Sequence, residues 1–337
     1  MMPFFGRSVG AKALVRPSSA AAPPQLRGGR CFSAHAASVV AVGLGNMGAP
    51  LAGRIAAQHP TFAFDLDESA PAQHAAEWGS EAVGSTEQLC EHTAEARAVV
   101  TCLPNTDATR ATVDLVRASL RPGMVWIDAT SGRPDEAAAL EQELWEQHEV
   151  RYLDCAVSGG PVGARGGILA ALVGGDSETF EGAQDIIGCF SDKITYLGPA
   201  GSGHMVKSIN NALLAANLLT ASEGLAALAR HGVNVPSALQ AINGSSGRSW
   251  VTMQRFPDNI LTGNPYGFAL AMHLKDMNNA LECITADGNG GTLEAPLLEL
   301  TRATMEKALA QLEEGADHTD TTKLAAGVHG IDFETLP

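Results

Sequence analysis

The protein has 337 residues, of which 45% are hydrophobic and 18% are charged, so the chain is long enough for two globular domains and is not a disordered tail. Its formal net charge of −15 argues against a nucleic-acid-binding protein, because contact with the phosphate backbone requires a basic face. The sequence has no run of about 18 uninterrupted apolar residues, so we expect no membrane-spanning helix.

The first 37 residues differ in composition from the rest of the chain. Residues 1–38 contain five basic residues and no Asp or Glu, and they are rich in Ser and Ala. An acid-free leader that ends at Arg30-Cys31-Phe32-Ser33 is typical of a transit peptide, with cleavage after Phe32. We therefore expect import into the mitochondrial matrix. A plastid leader and a disordered N-terminal extension of chance composition remain alternatives.

The folded part begins with an apolar run, Ser38–Val42, that is typical of a β-strand. It leads into the turn Gly43-Leu44-Gly45-Asn46-Met47-Gly48 and then into a helical stretch. A second apolar run ends at Asp65, which lies 22 residues beyond Gly43. A strand, a glycine turn, a helix and a distal acidic residue in this order predict a dinucleotide-binding unit.

The residue types of this unit match the chemistry of a dinucleotide. Gly43 permits a tight turn, Gly45 has no Cβ to obstruct a pyrophosphate, and Gly48 lets the helix lie close to its strand. The N–H groups at the start of the helix then face the phosphates. Asp65 would accept hydrogen bonds from a ribose diol and repel a 2′-phosphate, so we expect NAD in preference to NADP.

Further apolar runs alternate with helix-like segments up to residue 200. This alternation predicts an α/β fold with a doubly wound, mostly parallel Rossmann sheet over residues 38–200. The runs are Ala98–Leu103, Met124–Ile127, Tyr152–Val157, Leu169–Val173 and Ile194–Leu197.

The pattern changes after Gly203. Residues His204–Arg230 contain one Gly and no Pro, and their leucines recur at helical intervals, which predicts a long interdomain helix of about seven turns. We expect an all-helical C-terminal domain over residues 201–337 that contributes to the substrate site and to oligomerisation. Its further helices are predicted over Pro236–Ile242, Pro265–Ala286 and Ala295–Leu312.

Lys207 and Asn211 are four residues apart on the long helix, so their side chains share one face. A cation and an amide at the start of an interdomain helix could hold a substrate hydroxyl or carbonyl. The alternative is a lysine that merely extends from a helix end to solvent. His204, one turn earlier, is interpreted as a capping or packing residue.

Four blocks in a fixed order resemble the β-hydroxyacid dehydrogenase family. They are the turn Gly43–Gly48, the segment Asp154–Gly160, the segment Gly201-Ser202-Gly203 with Lys207 and Asn211, and the pair Lys275-Asp276. Within the family, Ser245–Trp250 is most similar to the members that oxidise 3-hydroxyisobutyrate to methylmalonate semialdehyde in valine breakdown. Two positions depart from the family pattern: Ala156 replaces the usual Pro, and Ser131 replaces the usual Thr.

The resemblance implies a role for each matching residue. Lys207 would be the general acid/base of NAD-dependent hydride transfer. The substrate, a small hydroxy acid, would be held by Ser158, Gly159, Gly160 and Asn211. The cofactor site would comprise Gly43, Leu44, Gly45, Asn46, Met47, Gly48, Asp65, Leu103, Pro104, Ser131 and Lys275.

Several alternatives remain open from the sequence. A related reductase of tartronate, succinic or glyoxylic semialdehyde would share all four blocks, and a non-catalytic cofactor-binding scaffold protein would share the fold. The six cysteines are far apart, and no His/Asp cluster has the spacing of metal ligands, so we expect no metal. An apolar helical domain commonly needs a partner surface, so we expect a homodimer or homotetramer.

Overall fold

The computed structural model describes residues 38–285 and 293–336. The predicted leader, residues 1–37, lies outside the described residues. Within them, eight strands form one sheet in the order β3-β2-β1-β4-β5-β6-β7-β8. The strands are β1 (Val39–Val42), β2 (Thr61–Phe64), β3 (Glu81–Ala82), β4 (Ala98–Thr101), β5 (Val125–Asp128), β6 (Arg151–Ser158), β7 (Leu169–Gly175) and β8 (Ser191–Tyr196).

The sheet is mostly parallel, as the sequence predicted. Strands β1 to β6 pair in parallel, β7 runs antiparallel to β6, and β8 is parallel to β7. The chain proceeds outward from β1 in one direction and from β4 in the other. The carboxyl ends of β1 and β4 therefore form the switch point at which doubly wound sheets bind their ligands.

Helices cover both faces of this sheet. Neighbouring residues on a strand contribute to two separate apolar cores: Val39 and Ile127 lie in one, and Val40 and Trp126 lie in the other. All four are buried, because a strand in a parallel sheet packs against helices on both sides. The helices are α1 (Gly48–Ala56), α2 (Ala70–Trp78), α3 (Thr86–Glu95), α4 (Thr106–Val116), α5 (Pro134–His148), α6 (Gly160–Gly166) and α7 (Ser177–Ile187).

A 29-residue helix, α8 (Ser202–Arg230), connects the sheet to the helical region. It packs against β6, β7 and α5 at one end and against helices of the C-terminal region along the rest. By length and hydropathy alone, this helix could cross a membrane, with a mean hydropathy of 1.5 over its most apolar 18 residues. The few polar residues within this stretch do not lower its mean hydropathy below that of a membrane-spanning segment.

The C-terminal region is helical, and its helices differ in part from the predicted ones. They are α9 (Val235–Asn243), α10 (Leu270–Thr285), α11 (Pro296–Gln311) and α12 (Thr321–Val328). The segment Val251–Ile260 is wound as a π-helix, which the sequence analysis did not predict. The prediction that α10 begins at Pro265 is wrong. Gly267 has a left-handed φ of +91°, and its N–H donates to the Asp317 carboxylate, so α10 begins at Leu270.

Candidate active site

The glycine-rich turn between β1 and α1 has the backbone that a dinucleotide requires. Gly43 has a φ of +94°, and a Cβ there would collide with the carbonyl oxygen of Cys102. A Cβ on Gly48 would collide with the carbonyl of Gly43, whereas the space over Gly45 is open. A pyrophosphate can therefore approach the backbone at Gly45, while Gly43 and Gly48 keep the turn and helix close together.

The positive end of α1 faces the same open side of the turn. In the part of the chain that the structure describes, the backbone N–H groups of Asn46 and Met47 donate to no acceptor. The first turn of α1 carries no acidic side chain that would compete with an anion. Free N–H groups at a helix start are suited to phosphate, so these residues fit the phosphates of a dinucleotide cofactor.

Asp65 lies at the carboxyl end of β2, beside the turn. Its Oδ2 accepts a hydrogen bond from the Leu44 N–H at 2.6 Å, and its Oδ1 accepts one from the Asp67 N–H at 2.9 Å. The structure thus brings Asp65 and Leu44 together across 21 residues of sequence. A half-buried carboxylate at this position can accept hydrogen bonds from a ribose diol and repels a 2′-phosphate.

Lys275 connects the helical region to the loops that follow β4 and β5. Its Nζ donates to the carbonyl oxygen of Pro104 at 3.0 Å and to that of Ser131 at 2.6 Å. Leu103, next to Pro104, donates its N–H to the Thr130 hydroxyl at 3.1 Å. These four predicted cofactor residues, Leu103, Pro104, Ser131 and Lys275, are therefore close together at the carboxyl edge of the sheet.

The buried carboxylate of Asp154 fixes the start of α8. Its Oδ1 accepts the N–H of Gly201 at 2.7 Å and its Oδ2 accepts the N–H of His204 at 2.8 Å. A negative charge at a helix N-terminus also interacts favourably with the helix dipole. Asp154 lies on β6, so these bonds set the position of α8, and hence of Lys207, relative to the sheet. His204 is buried beside Gly132, which agrees with a packing residue.

Lys207 and Asn211 lie on one face of α8, opposite Asp276 of α10. The Asn211 Nδ2 donates to Asp276 Oδ2 at 2.6 Å, and Asn210 donates to Asn211 Oδ1 at 3.1 Å. Asp276 is 2% exposed, and its Oδ1 lies 3.3 Å from the Nζ of Lys275. Asp276 thus orients the Asn211 amide and compensates the charge of the neighbouring lysines.

The environment of Lys207 changes its acidity. Partial burial of this side chain lowers the pKa of Lys207 below its ordinary value, because the charged form is poorly solvated. The negative charge of Asp276 partly opposes this shift, and the positive charge of Lys275 adds to it. The net effect is a larger fraction of neutral amine near neutral pH than an exposed lysine has, which suits a general base.

The segment Ser158-Gly159-Gly160 joins β6 to α6. Gly159 has a φ of +137° and Gly160 a φ of +66°, conformations that L side chains rarely adopt. The hydroxyl of Tyr266, from the loop before α10, lies against Gly160, so that a Cβ on this glycine would collide with it. The sequence predicted a substrate segment here, but it did not predict that Tyr266 forms its other wall.

An interdomain cavity of about 750 Å³ opens between the glycine turn and the helical region. It is lined by Asn46 on one side and by the segments around Gly267 and Asp317 on the other. In residues 38–285 and 293–336, no group of three His, Cys, Asp or Glu side chains is placed to hold a metal ion.

We expect Gly160→Ala to raise the KM for the substrate about tenfold, because a left-handed φ with a Cβ adds roughly 1–3 kcal/mol of strain and Tyr266 must move. Gly182→Ala is the matched control, since Gly182 lies in α7 with open space around it. Steady-state kinetics of both variants measure the difference. Equal KM values for the two variants would contradict a substrate contact at Gly160.

Comparison with known proteins identifies the family. Residues 38–198 match the profile described as the NAD-binding domain of 6-phosphogluconate dehydrogenase. Residues 201–325 match the one described as "NAD-binding of NADP-dependent 3-hydroxyisobutyrate dehydrogenase". The chain is 31% identical over 259 residues to the probable 3-hydroxyisobutyrate dehydrogenase of Mycobacterium tuberculosis, covering 74% of this chain and 86% of that protein. The chain belongs to the β-hydroxyacid dehydrogenase family.

Other members of the β-hydroxyacid dehydrogenase family are similar along most of the chain. The mitochondrial 3-hydroxyisobutyrate dehydrogenase of Homo sapiens is 28% identical over 256 residues, which cover 73% of this chain and 75% of that one. A solved structure of the Mycobacterium tuberculosis enzyme with L-serine has a TM-score of 0.75 and 29% identity, and it covers 86% of this chain and 98% of that one. The predicted fold class is confirmed, and this β-hydroxyacid dehydrogenase uses NAD(P) on a 3-hydroxy acid.

Sequence reasoning assigned no role to three residues of this β-hydroxyacid dehydrogenase that shape the site. Asp154 and Asp276 lie within the blocks that resemble the family, and an acidic side chain among apolar residues was the sequence feature that could have identified them. Tyr266 had no signal in the sequence, since its contact with Gly160 spans more than 100 residues.

Proposed function

We propose that this β-hydroxyacid dehydrogenase oxidises 3-hydroxyisobutyrate to methylmalonate semialdehyde with NAD, and that Lys207 is its general acid/base. The observation that carries the proposal is the placement of Lys207, with its lowered pKa, beside Asn211 and Asp276 at the start of α8. The similarity to 3-hydroxyisobutyrate dehydrogenases over three quarters of their length supports the choice of substrate.

The residues of this chain transfer one proton and bind one carboxylate. In the oxidation, the neutral amine of Lys207 takes the proton of the substrate hydroxyl, and in the reduction the ammonium returns it. Asn211, held by Asp276, keeps the substrate oxygen near Lys207 Nζ. The hydroxyl of Ser158 and the backbone N–H groups of Gly159 and Gly160 bind the substrate carboxylate.

The cofactor residues divide into three groups. The turn Gly43-Leu44-Gly45-Asn46-Met47-Gly48 would hold the pyrophosphate, Asp65 the adenosine ribose, and the loops at Leu103-Pro104 and Ser131, with Lys275, the nicotinamide half. The bound nicotinamide supplies the hydride acceptor or donor.

The proposal extends to the location and assembly of the enzyme. The basic, acid-free leader before residue 38 and the similarity to mitochondrial enzymes support import into the mitochondrial matrix. Exposed apolar side chains on the helical region, among them Leu213, Leu297 and Leu300, support a homodimer or homotetramer.

Initial rates of the purified chain with a panel of hydroxy acids test the proposal. We expect the highest kcat/KM with 3-hydroxyisobutyrate and NAD. With NADP it should be about a hundredfold lower, because a 2′-phosphate facing Asp65 adds a like-charge repulsion of several kcal/mol. The panel includes the hydroxy acids formed from tartronate, succinic and glyoxylic semialdehydes. Preference for one of these would replace the proposed substrate, and no turnover in either direction would favour a scaffold protein.

A further inference from the structure

Arg255 is an almost buried cation without an anionic partner in the described residues. It lies in the π-helical segment Val251–Ile260, and 8% of its surface is exposed. Its Nε has no hydrogen-bond partner, and no carboxylate of residues 38–285 or 293–336 lies within 4 Å of its guanidinium. By contrast, Arg97 and Arg110 each form close ion pairs with a carboxylate.

An unpaired buried guanidinium is unfavourable, because water no longer solvates its charge and no anion replaces the water. The structure supplies partial compensation, since the guanidinium carbon of Arg255 lies 3.4 Å from the ring centroid of Tyr266. This stacking stabilises one face of the guanidinium but provides no hydrogen-bond acceptor for its N–H groups. The planar fork of N–H donors thus remains available to an anion.

Tyr266 places this cation beside the substrate segment. The Tyr266 hydroxyl lies against Gly160, and the guanidinium of Arg255 stacks on the same ring. The π-helix that carries Arg255 is a rare winding, and such turns occur frequently at functional sites. Arg255 therefore flanks the position at which Ser158 and Gly160 offer only neutral hydrogen-bond donors.

Two buried histidines pack on this flank of the site. His318 stacks near both Tyr266 and His273, at 5.6 and 5.1 Å between ring centroids. Burial is the main reason that the pKa of His318 is lowered to about 3. Burial also lowers the pKa of His273. His273 Nε2 is 2.8 Å from the carbonyl oxygen of Asn211, which connects this cluster to the Lys207 helix. Arg255 thus places a positive charge on the Tyr266 side of the site.

We infer that Arg255 binds the carboxylate of the hydroxy-acid substrate and makes the enzyme select acids over neutral alcohols. The inference rests on the proposed hydroxy-acid function. The neutral donors of Ser158, Gly159 and Gly160 orient the carboxylate, and Arg255 supplies the charge that pairs with it. A charge-assisted hydrogen bond is stronger than a neutral one and distinguishes a carboxylate from an ester of the same size.

The test compares 3-hydroxyisobutyrate and its methyl ester as substrates of the wild-type protein and of Arg255→Met. We expect the variant to raise the KM for the acid about a hundredfold. Its kcat and its KM for the ester should change little. Arg255→Lys retains a charge without the fork and should give an intermediate KM for the acid. Arg302→Met, on the exposed face of α11, is the matched control and should behave as the wild type.

A second measurement separates this inference from the proposed function. Calorimetric titration with isobutyrate, which lacks the reacting hydroxyl, measures carboxylate binding without turnover. Weaker binding of isobutyrate to Arg255→Met and Arg255→Lys supports the inference even if 3-hydroxyisobutyrate is not the substrate. Equal losses for acid and ester would show that Arg255 only packs the π-helix and would overturn the inference. Unchanged kinetics with the acid would also overturn it, while leaving the proposed function intact.

Discussion

Replacing Lys207 with methionine is expected to lower kcat by a factor of about 10² to 10⁴ while NAD still binds. A positioned acid/base group typically contributes this factor, and methionine retains the length of the side chain without a proton acceptor. The dinucleotide turn and Asp65 are not in contact with Lys207, so the Kd for NAD should stay unchanged. Lys193→Met, at an exposed position on β8, is the control. Turnover close to that of the wild type would contradict the role of Lys207.

The role of Lys207 also predicts how the rate of oxidation by the wild type depends on pH. The amine of Lys207 must be neutral to accept a proton, so the rate of oxidation should rise with pH through its pKa. Because burial lowers the pKa of Lys207, this rise should occur below the pH at which an exposed lysine titrates. The rise should be absent from the residual activity of Lys207→Met.

The second large effect is expected at Asp276, where two substitutions separate charge from hydrogen bonding. Asp276→Ala removes the acceptor of the Asn211 amide and should lower kcat/KM about 10- to 100-fold, because a hydrogen bond to a buried charge is lost. Steady-state kinetics measure this loss, and Asp192→Asn at an exposed site is the control. An unchanged kcat/KM would contradict the orienting role of Asp276.

Asp276→Asn keeps an acceptor for Asn211 but removes the negative charge. In the wild type, that charge stabilises the ammonium form of Lys207 and opposes the lowering of its pKa. Without it, the pKa of Lys207 falls further, so the rise of oxidation rate with pH should move to lower pH. A rise that stays in place, or one that moves to higher pH, would contradict the proposed coupling between Asp276 and Lys207.

Local sequence patterns predicted the parallel sheet and the conformation of the glycine turn. The dinucleotide turn depends on backbone conformations that a few glycines determine, and Gly43 and Gly48 occupy the tight positions expected for them. Alternating apolar runs predicted the parallel sheet, because strands buried on both faces are continuously apolar. Helical periodicity alone predicted that Lys207 and Asn211 share one face of α8.

Contacts between distant segments account for what the sequence did not predict. Asp276 meets Asn211 across 65 residues of sequence, and Tyr266 meets Gly160 across more than 100. The start of α10 was misplaced because the Asp317 carboxylate, which is 50 residues away, binds the N–H of Gly267. Periodicity describes one element at a time, so it cannot show which side chain of another element completes a site.

A deuterium label on the substrate shows whether the enzyme transfers hydride from the carbinol carbon to the cofactor. The full chain is incubated with NAD and 3-hydroxyisobutyrate that carries deuterium on its carbinol carbon, and the reduced cofactor is analysed by mass spectrometry. We expect deuterated reduced cofactor with the wild type and almost none with Lys207→Met. Reduced cofactor without deuterium, or equal labelling by the two proteins, would contradict this expectation.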